Sequence, residues 1–287
     1  MKVITNVTND LFIKLQYYTL KKFMRNDYEF IVFNDAKEYP DVSNGYDKTI
    51  KQKIIDMCNE LNIKCYTHDN NYQQDIKDHY SYTHSIMLNM MHKYQLENPD
   101  KYLILDGDMF LIDYLDISKY SNEGSAILLQ EREEGKIIYM WPGIVYLDMT
   151  LDRKYELLKW DINMGKTDTG GMTEEWLRSQ INEGEIIPRT SELRWNKEKN
   201  YNLKNIYFIK HLWSLTWNED ELPDKFKNNE KLLEFLKTDK RNDKNKFFCE
   251  LYDNIFLHYR GGGCDWMKNG LNLHKEQVKK LEDIYCN

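Results

Sequence analysis

Three runs of the sequence, KVIT (2–5), YEFIVFND (28–35) and KYLILDGD (101–108), are apolar through the middle without alternating, and the last two end in acids. Strands with one wet face alternate apolar and polar residues, whereas strands covered on both faces do not. Helical spacing fills the intervals. In NDLFIKLQYYTLKKFM, Leu11, Leu15, Tyr18 and Phe23 fall near one face, with Asp10 as N-cap. A helix around 50–61, a brief strand at IKCYTH and a helix through YTHSIMLNMMHKYQ follow, the last with Ile86, Met87, Met90, Met91 and Tyr94 along one stripe. Strand–helix alternation of this kind predicts parallel βαβ units and an α/β fold.

The later sequence is less regular. SAILLQ and IIYMWPGIVYLDM read as strands, the second with a turn at Pro142–Gly143. TGGMTEEWLRSQI starts a helix, NIYFIKHLWSL and NIFLHYR are further strands, and LHKEQVKKLEDIY is an amphipathic helix. The charged stretch 225–246 reads as an exposed helix and loop. No repeat or Pro/Gly/Ser linker interrupts the chain, so one continuous domain over 1–287 is expected.

Bulk properties narrow the function. At 287 residues and 41% hydrophobic, the chain can bury a sizeable core. No stretch reaches the roughly 18–20 apolar residues of a membrane span. The opening MKVITNVTND lacks the apolar core of a signal peptide. The sequon Asn6-Val7-Thr8 therefore carries no meaning. Five scattered cysteines without a CxxC pair fit reduced thiols and a cytoplasmic location. A net charge of −7 opposes a nucleic-acid partner, since phosphate backbones need a basic surface. A small anion remains a possible ligand if a cation screens it.

LDGD supplies that possibility. In open parallel sheets, ligands bind beyond the carboxyl ends of the strands, where Asp106, Gly107 and Asp108 fall. Residues two apart share a face, and glycine between them leaves room for a sharp turn. Two hard carboxylates suit Mg2+ or Mn2+. Asp-Gly between apolar runs is also a hairpin signal, which competes with this reading. An Asp-nucleophile phosphatase fits less well, because Met109-Phe110 follow where a small hydroxyl or branched residue is expected. A calcium loop lacks its further acids and glycine.

The strand ending in LDGD, the helix bearing HSIMLN, and the downstream segments YMWPGIVYLDM (139–149), DTGG (168–171) and FLHYRGGGCDW (256–266) together resemble the A-type glycosyltransferase fold (GT-A), in a bacterial and viral branch. The resemblance covers nearly the whole chain in order. It implies a Rossmann-like, mixed, mainly parallel central sheet flanked by helices. Residues 1–112 would bind the nucleotide-sugar, 113–250 would face the acceptor, and 251–287 would close over metal and phosphate. It also implies a Mn2+ (or Mg2+) site of Asp106, Asp108 and His258, with Asp108 ligating directly, Asp106 contacting the ribose or the metal through water, His258 completing the site, and His211 as a rival ligand. Arg260 and Gly261–Gly263 would lie beside the diphosphate, whose oxygens pair with guanidinium and backbone N–H groups.

Thr5, Asn6, Asn34 and Asp35 occupy the places where such a fold holds base and ribose, although capping and turn formation also favour these residue types. His84 or Ser85 would approach the nucleotide, with Asn89 on the same polar side. Trp141 and Gly143 would shape the wall around the sugar, and Trp213 and Trp217 could stack an acceptor or pack in the core. Gly170 belongs to the turn opening the next helix, where Asp168 would be held by N-terminal N–H groups. Asp168, Glu174 and Glu175 are the candidate bases that an inverting enzyme would need.

The implied function is metal-dependent transfer of a sugar from UDP, or next GDP, to a hydroxyl of a glycan or other acceptor. The alternatives are a non-catalytic carbohydrate-binding relative and a metal-dependent phosphohydrolase or nucleotidyltransferase.

Overall fold

A computed structural model describes residues 1–71, 80–163, 166–197, 201, 203–262 and 270–286. Strands β1 (Lys2–Val7), β2 (Glu29–Asn34), β3 (Lys64–Thr67) and β4 (Lys101–Leu105) alternate with helices α1 (Ile13–Phe23), α2 (Ile50–Glu60) and α3 (Tyr80–Glu97). The four strands pair in parallel, in the order β3-β2-β1-β4. Beyond β4 the sheet continues through antiparallel β7 (Ile137–Asp148) to β6 (Ser125–Arg132) and then parallel β8 (Tyr207–Phe208). The expected mixed, mainly parallel sheet with helices on its faces is therefore present. Its strand order reverses between β1 and β4, where sheets of this type open a crevice.

The non-alternating strands are buried on both faces. Val3, Phe30, Val32, Leu103 and Leu105 join one apolar cluster with α1, α2 and α8 (Gly270–Tyr285). Ile4, Ile31, Phe33, Tyr102 and Ile104 join the other, with Met87, Leu88 and Met91 of α3 and with Trp176 and Leu177 of α5 (Glu174–Ser179). Met90, expected in the core stripe of α3, is exposed. Asp10 does not cap α1, whose N-cap is Phe12. Among the described residues, no helix is long and apolar enough to cross a membrane.

A second, antiparallel sheet, β5-β11-β10-β9, joins Met109–Leu111, Phe256–His258, Glu250–Tyr252 and His211–Leu212. The segment read as one strand at NIYFIKHLWSL thus divides into β8 and β9, in different sheets. Two shorter helices, α4 (Ser118–Ser121) and α6 (Asp224–Lys227), lie on connections. The stretch 225–246 is less exposed than its charge implies. Its helix α7 (Glu230–Thr238) buries Leu232, Phe235 and Leu236, while Asp239 and Arg241 are buried as a pair.

Candidate metal centre

The chain leaves the large sheet for the small one at the acidic turn. Met109 N donates to Asp106 O (3.1 Å), closing a turn, but β4 and β5 belong to different sheets, so no hairpin forms. A Cβ at Gly107 would lie 2.8 Å from the Asn6 carbonyl oxygen, so the end of β1 accepts only glycine there without shifting. Gln16 of α1 clamps the turn by donating to the carbonyls of Asp106 and Met109, both at 2.8 Å.

Strand pairing then brings a histidine to the acids. β5 runs antiparallel to β11 with Met109 opposite His258, and Tyr259 N donates to Asp108 O (3.0 Å). His258 Nε2 lies 3.0 Å from Asp108 Oδ1 and 3.9 Å from Asp106 Oδ2. One ligand atom from each of Asp106, Asp108 and His258 lies within 4.8 Å of the others. Asp108 and His258 are buried and Asp106 is partly exposed, so the group opens toward solvent on the Asp106 side.

The donor set fits a divalent cation. Two carboxylates and an imidazole are a donor set that such an ion accepts, Mn2+ and Mg2+ among the candidates. The second nitrogen of His258, Nδ1, lies 2.7 Å from Glu250 Oε2, the outer-shell arrangement that leaves Nε2 free to face an ion. His211 does not compete. It is buried outside the cluster, and burial lowers its pKa to about 4. Its Nε2 lies near both the Thr190 carbonyl oxygen (3.1 Å) and Trp213 Nε1 (3.0 Å), of which a neutral imidazole satisfies one.

Electrostatics describe the metal-free cluster. Burial opposes charge on His258, but the Asp108 and Glu250 carboxylates outweigh it and raise its pKa to about 10. Burial likewise opposes charge on Asp108, yet His258 and the Gly262 N–H hold its pKa low. Asp106 is pushed up, by desolvation first and by Asp108 second. His258 thus keeps a proton that the unfolded chain loses near 6.5, and this contribution to stability is complete below about pH 6.5 and vanishes as pH rises through about 10. A cation must displace that proton from the folded chain, so Mn2+ affinity should rise with pH up to about 10 and level off above it. Calorimetry in buffers of different ionisation enthalpy should find about one proton released per ion bound. Release of none would contradict this protonation state.

The loop after β11 closes over the acids. Gly262 N donates to Asp108 Oδ2 at 2.7 Å, and Asn9 Nδ2 donates to Gly262 O at 3.0 Å. Arg260 and Gly261 both adopt left-handed φ, 64° and 78°. Arg241 Nη1 donates to the Arg260 carbonyl (2.6 Å), fixing that bend, and the Arg260 guanidinium reaches within 3.7 Å of Glu250 Oε1. Gly263 and Cys264 lie outside the described residues.

Pro142 and Gly143 do not form a turn. They lie within β7, where the register with β6 jumps from Ile127↔Val145 to Leu128↔Trp141, so the intervening residues bulge. Asp106 N donates to the Gly143 carbonyl (2.8 Å), tying the bulge to the acidic turn. The half-buried Trp141 ring folds across Gly143, where an added Cβ would meet ring carbons at 1.9 Å, and its centroid lies 5.2 Å from that of His258. Gly143→Ala should therefore expel the Trp141 ring. A cost to turnover of about 10²-fold is expected, by misplacement at the site, together with a shift in tryptophan emission. Unchanged emission and rate would contradict the packing.

The other expected residues are more scattered. Trp213 packs edge-on to Trp141 with centroids 6.1 Å apart, while Trp217 is core, donating its indole N–H to Cys249 O. Thr5 is buried and near Gln16 Nε2 (3.4 Å). Asn34 donates to Lys51 O and accepts from Ala36 N, and Asp35 pairs with Lys37 and Asn70. Thr5, Asn6, Asn34 and Asp35 all end adjacent parallel strands on the side where Asp106 lies. His84 is close enough to lower the pKa of Asp106. Ser85 is buried, its hydroxyl donating to the Tyr82 carbonyl, and Asn89 braces Trp160 and Asp161.

Asp168 does not cap α5, which begins six residues later behind Thr173. It accepts from Thr169 N (2.8 Å) and from the Ser81 hydroxyl, while Gly170, at φ 89°, packs under the Met140 carbonyl. Glu174 pairs with Arg178 and Glu175 with Lys159, both on the surface. None of the three acids bonds to the metal-centre side chains among the described residues. Sequence reasoning missed Glu250, Arg241, Asn9 and Gln16. Only Glu250 had a local signal: Asp253-Asn254, both at left-handed φ, open a three-residue turn (253–255) that sets Glu250 opposite His258.

No protein-family model matches the sequence, and no curated protein does. Among solved structures, the whole chain is similar to 97% of the galactosyltransferase LgtC, determined with donor and acceptor sugar analogues, at 13% identity and a TM-score of 0.42. Over 63% of its length it is similar to 37% of the bifunctional glycosyltransferase WbbM in its apo form, at 11% identity and a TM-score of 0.33. Likenesses this distant carry no functional assignment.

Proposed function

We propose that this chain is a metal-dependent glycosyltransferase that moves a sugar from a nucleoside diphosphate, UDP before GDP, to a hydroxyl of a glycan or other acceptor. The observation that carries the reading is the convergence of Asp106, Asp108 and His258 at the strand-order reversal, under a loop that carries Arg260 and is tied to Asp108 through the Gly262 N–H. A cation held by those three side chains would offset the charge that builds on the departing diphosphate. Arg260, beside the cluster, would pair with the same oxygens. Thr5, Asn6, Asn34, Asp35 and His84 would line the base and ribose side, with Ser85 holding the helix behind them. Trp141 and Gly143 would flank the sugar.

On this reading the chain works as one domain, and the scattered thiols fit a cytoplasmic setting. Asp168 is the first acid to test as base, because Glu174 and Glu175 are engaged in surface pairs. A retaining enzyme would need no such base. The test is a screen of UDP- and GDP-sugars for slow hydrolysis with Mn2+, repeated in chelator. Consumption of one donor only when metal is present supports the proposal. Hydrolysis of simple phosphoesters instead would replace it with a phosphohydrolase.

A further inference from the structure

One buried carboxylate outside the acidic turn touches both the metal-centre histidine and the arginine beside it. Glu250, on β10, is almost fully buried, and its two oxygens are divided between different partners. Oε2 lies 2.7 Å from His258 Nδ1 and accepts from the Tyr252 hydroxyl at 2.5 Å. Oε1 accepts from Ser214 N at 3.0 Å and lies 3.7 Å from Arg260 Nε. A buried charge is costly unless paired and hydrogen-bonded on every side, and this one is. The β10–β11 register sets it directly opposite His258, so its place follows from strand pairing rather than from a loop.

We propose that Glu250 is a positioning residue for the metal centre: it keeps the His258 Nδ1–H in place, aims Nε2, whose proton an incoming ion displaces, at the space between Asp106 and Asp108, and holds Arg260 to the same side. The inference rests on the proposed function only in treating that space as an ion site. A structural role alone would require a shape-filling, hydrogen-bonded side chain at position 250. A positioning role requires a group that accepts on both sides, and an amide cannot do this. With its carbonyl toward His258, a glutamine turns its NH2 against the Ser214 N–H and Arg260. With the amide reversed, its NH2 faces Nδ1, which must then give up its proton, and the one remaining ring proton stays on Nε2, where it blocks an ion.

The test measures Mn2+ binding by the metal-free protein, counting free Mn2+ by electron paramagnetic resonance, with no sugar transfer involved. Glu250→Gln should bind Mn2+ about 10–100-fold more weakly than the natural chain, with an unchanged circular dichroism spectrum. Glu250→Asp, which keeps the charge, should recover part of that loss. Equal affinity in the natural chain and in Glu250→Gln would overturn the inference while leaving the metal centre standing. Absence of Mn2+ binding in the natural chain would overturn both. Should the variants fail to fold, nitrogen-15 NMR of the natural chain loaded with Mg2+ decides: a proton on Nδ1 and none on Nε2 of His258 is expected, and the reverse tautomer overturns the inference.

Discussion

Asp108→Asn abolishes high-affinity Mn2+ binding and lowers metal-dependent donor turnover by about 10²–10³-fold or more, in line with removal of a principal electrostatic contact. The substitution keeps the shape of the side chain. Its remaining carbonyl oxygen can still accept from Gly262 N, so the closing loop has a partner. It removes the charge that faces His258, and with it half of the carboxylate pair available to an ion. Donor hydrolysis with Mn2+, read beside the circular dichroism spectrum and melting temperature, separates this loss from unfolding. A folded variant with natural turnover would show that the acid merely braces a bend.

Arg241→Met destabilises the chain by about 3–5 kcal/mol, the usual cost of leaving one member of a buried ion pair without its partner. The natural guanidinium is bidentate on Asp239, with Nε to Oδ1 at 2.9 Å and Nη2 to Oδ2 at 2.6 Å, and each side chain is 2% exposed. It also lies over the Tyr259 ring, 3.7 Å from the centroid, and donates to the Arg260 carbonyl. Removing it strands the Asp239 carboxylate and releases the left-handed bend at Arg260. Lysine cannot replace the fork geometry, so Arg241→Lys should recover little. Adding Asp239→Leu to Arg241→Met should recover much of the stability but not the bond to Arg260, so activity stays low while the melting temperature rises. Chemical denaturation of the three variants checks the order. Equal stability of Arg241→Met and the natural chain would remove Arg241 from the support of the site.

These two residues mark what could be read in the sequence. Asp106 and Asp108 were legible because their signal is local: a doubly buried strand ends, and a glycine permits the turn. His258 was legible only beside Arg260 and its glycines, and through the resemblance those residues carry. Arg241 was not, because a charge run reads as a solvated face until tertiary packing buries part of it. Asp10 failed as a cap because α1 begins three residues later, leaving Asn9 to hold the Gly262 loop instead. Pro142-Gly143 failed as a turn because a strand can absorb both as a bulge when its neighbour is short of residues. The pairing of β5 with β11 joins residues about 150 positions apart, as the Asp108–His258 separation shows, and no local pattern encodes it.

The central claim is that the acids at the end of β4 are tolerated because they hold a doubly charged ion shared with a diphosphate. Calorimetric titration of Mn2+ into the natural chain, with and without UDP or GDP, tests it most directly. One ion per chain is expected, bound more tightly when the diphosphate is present and not at all by Asp108→Asn. Binding that is absent, or equal in the natural chain and in Asp108→Asn, would contradict it.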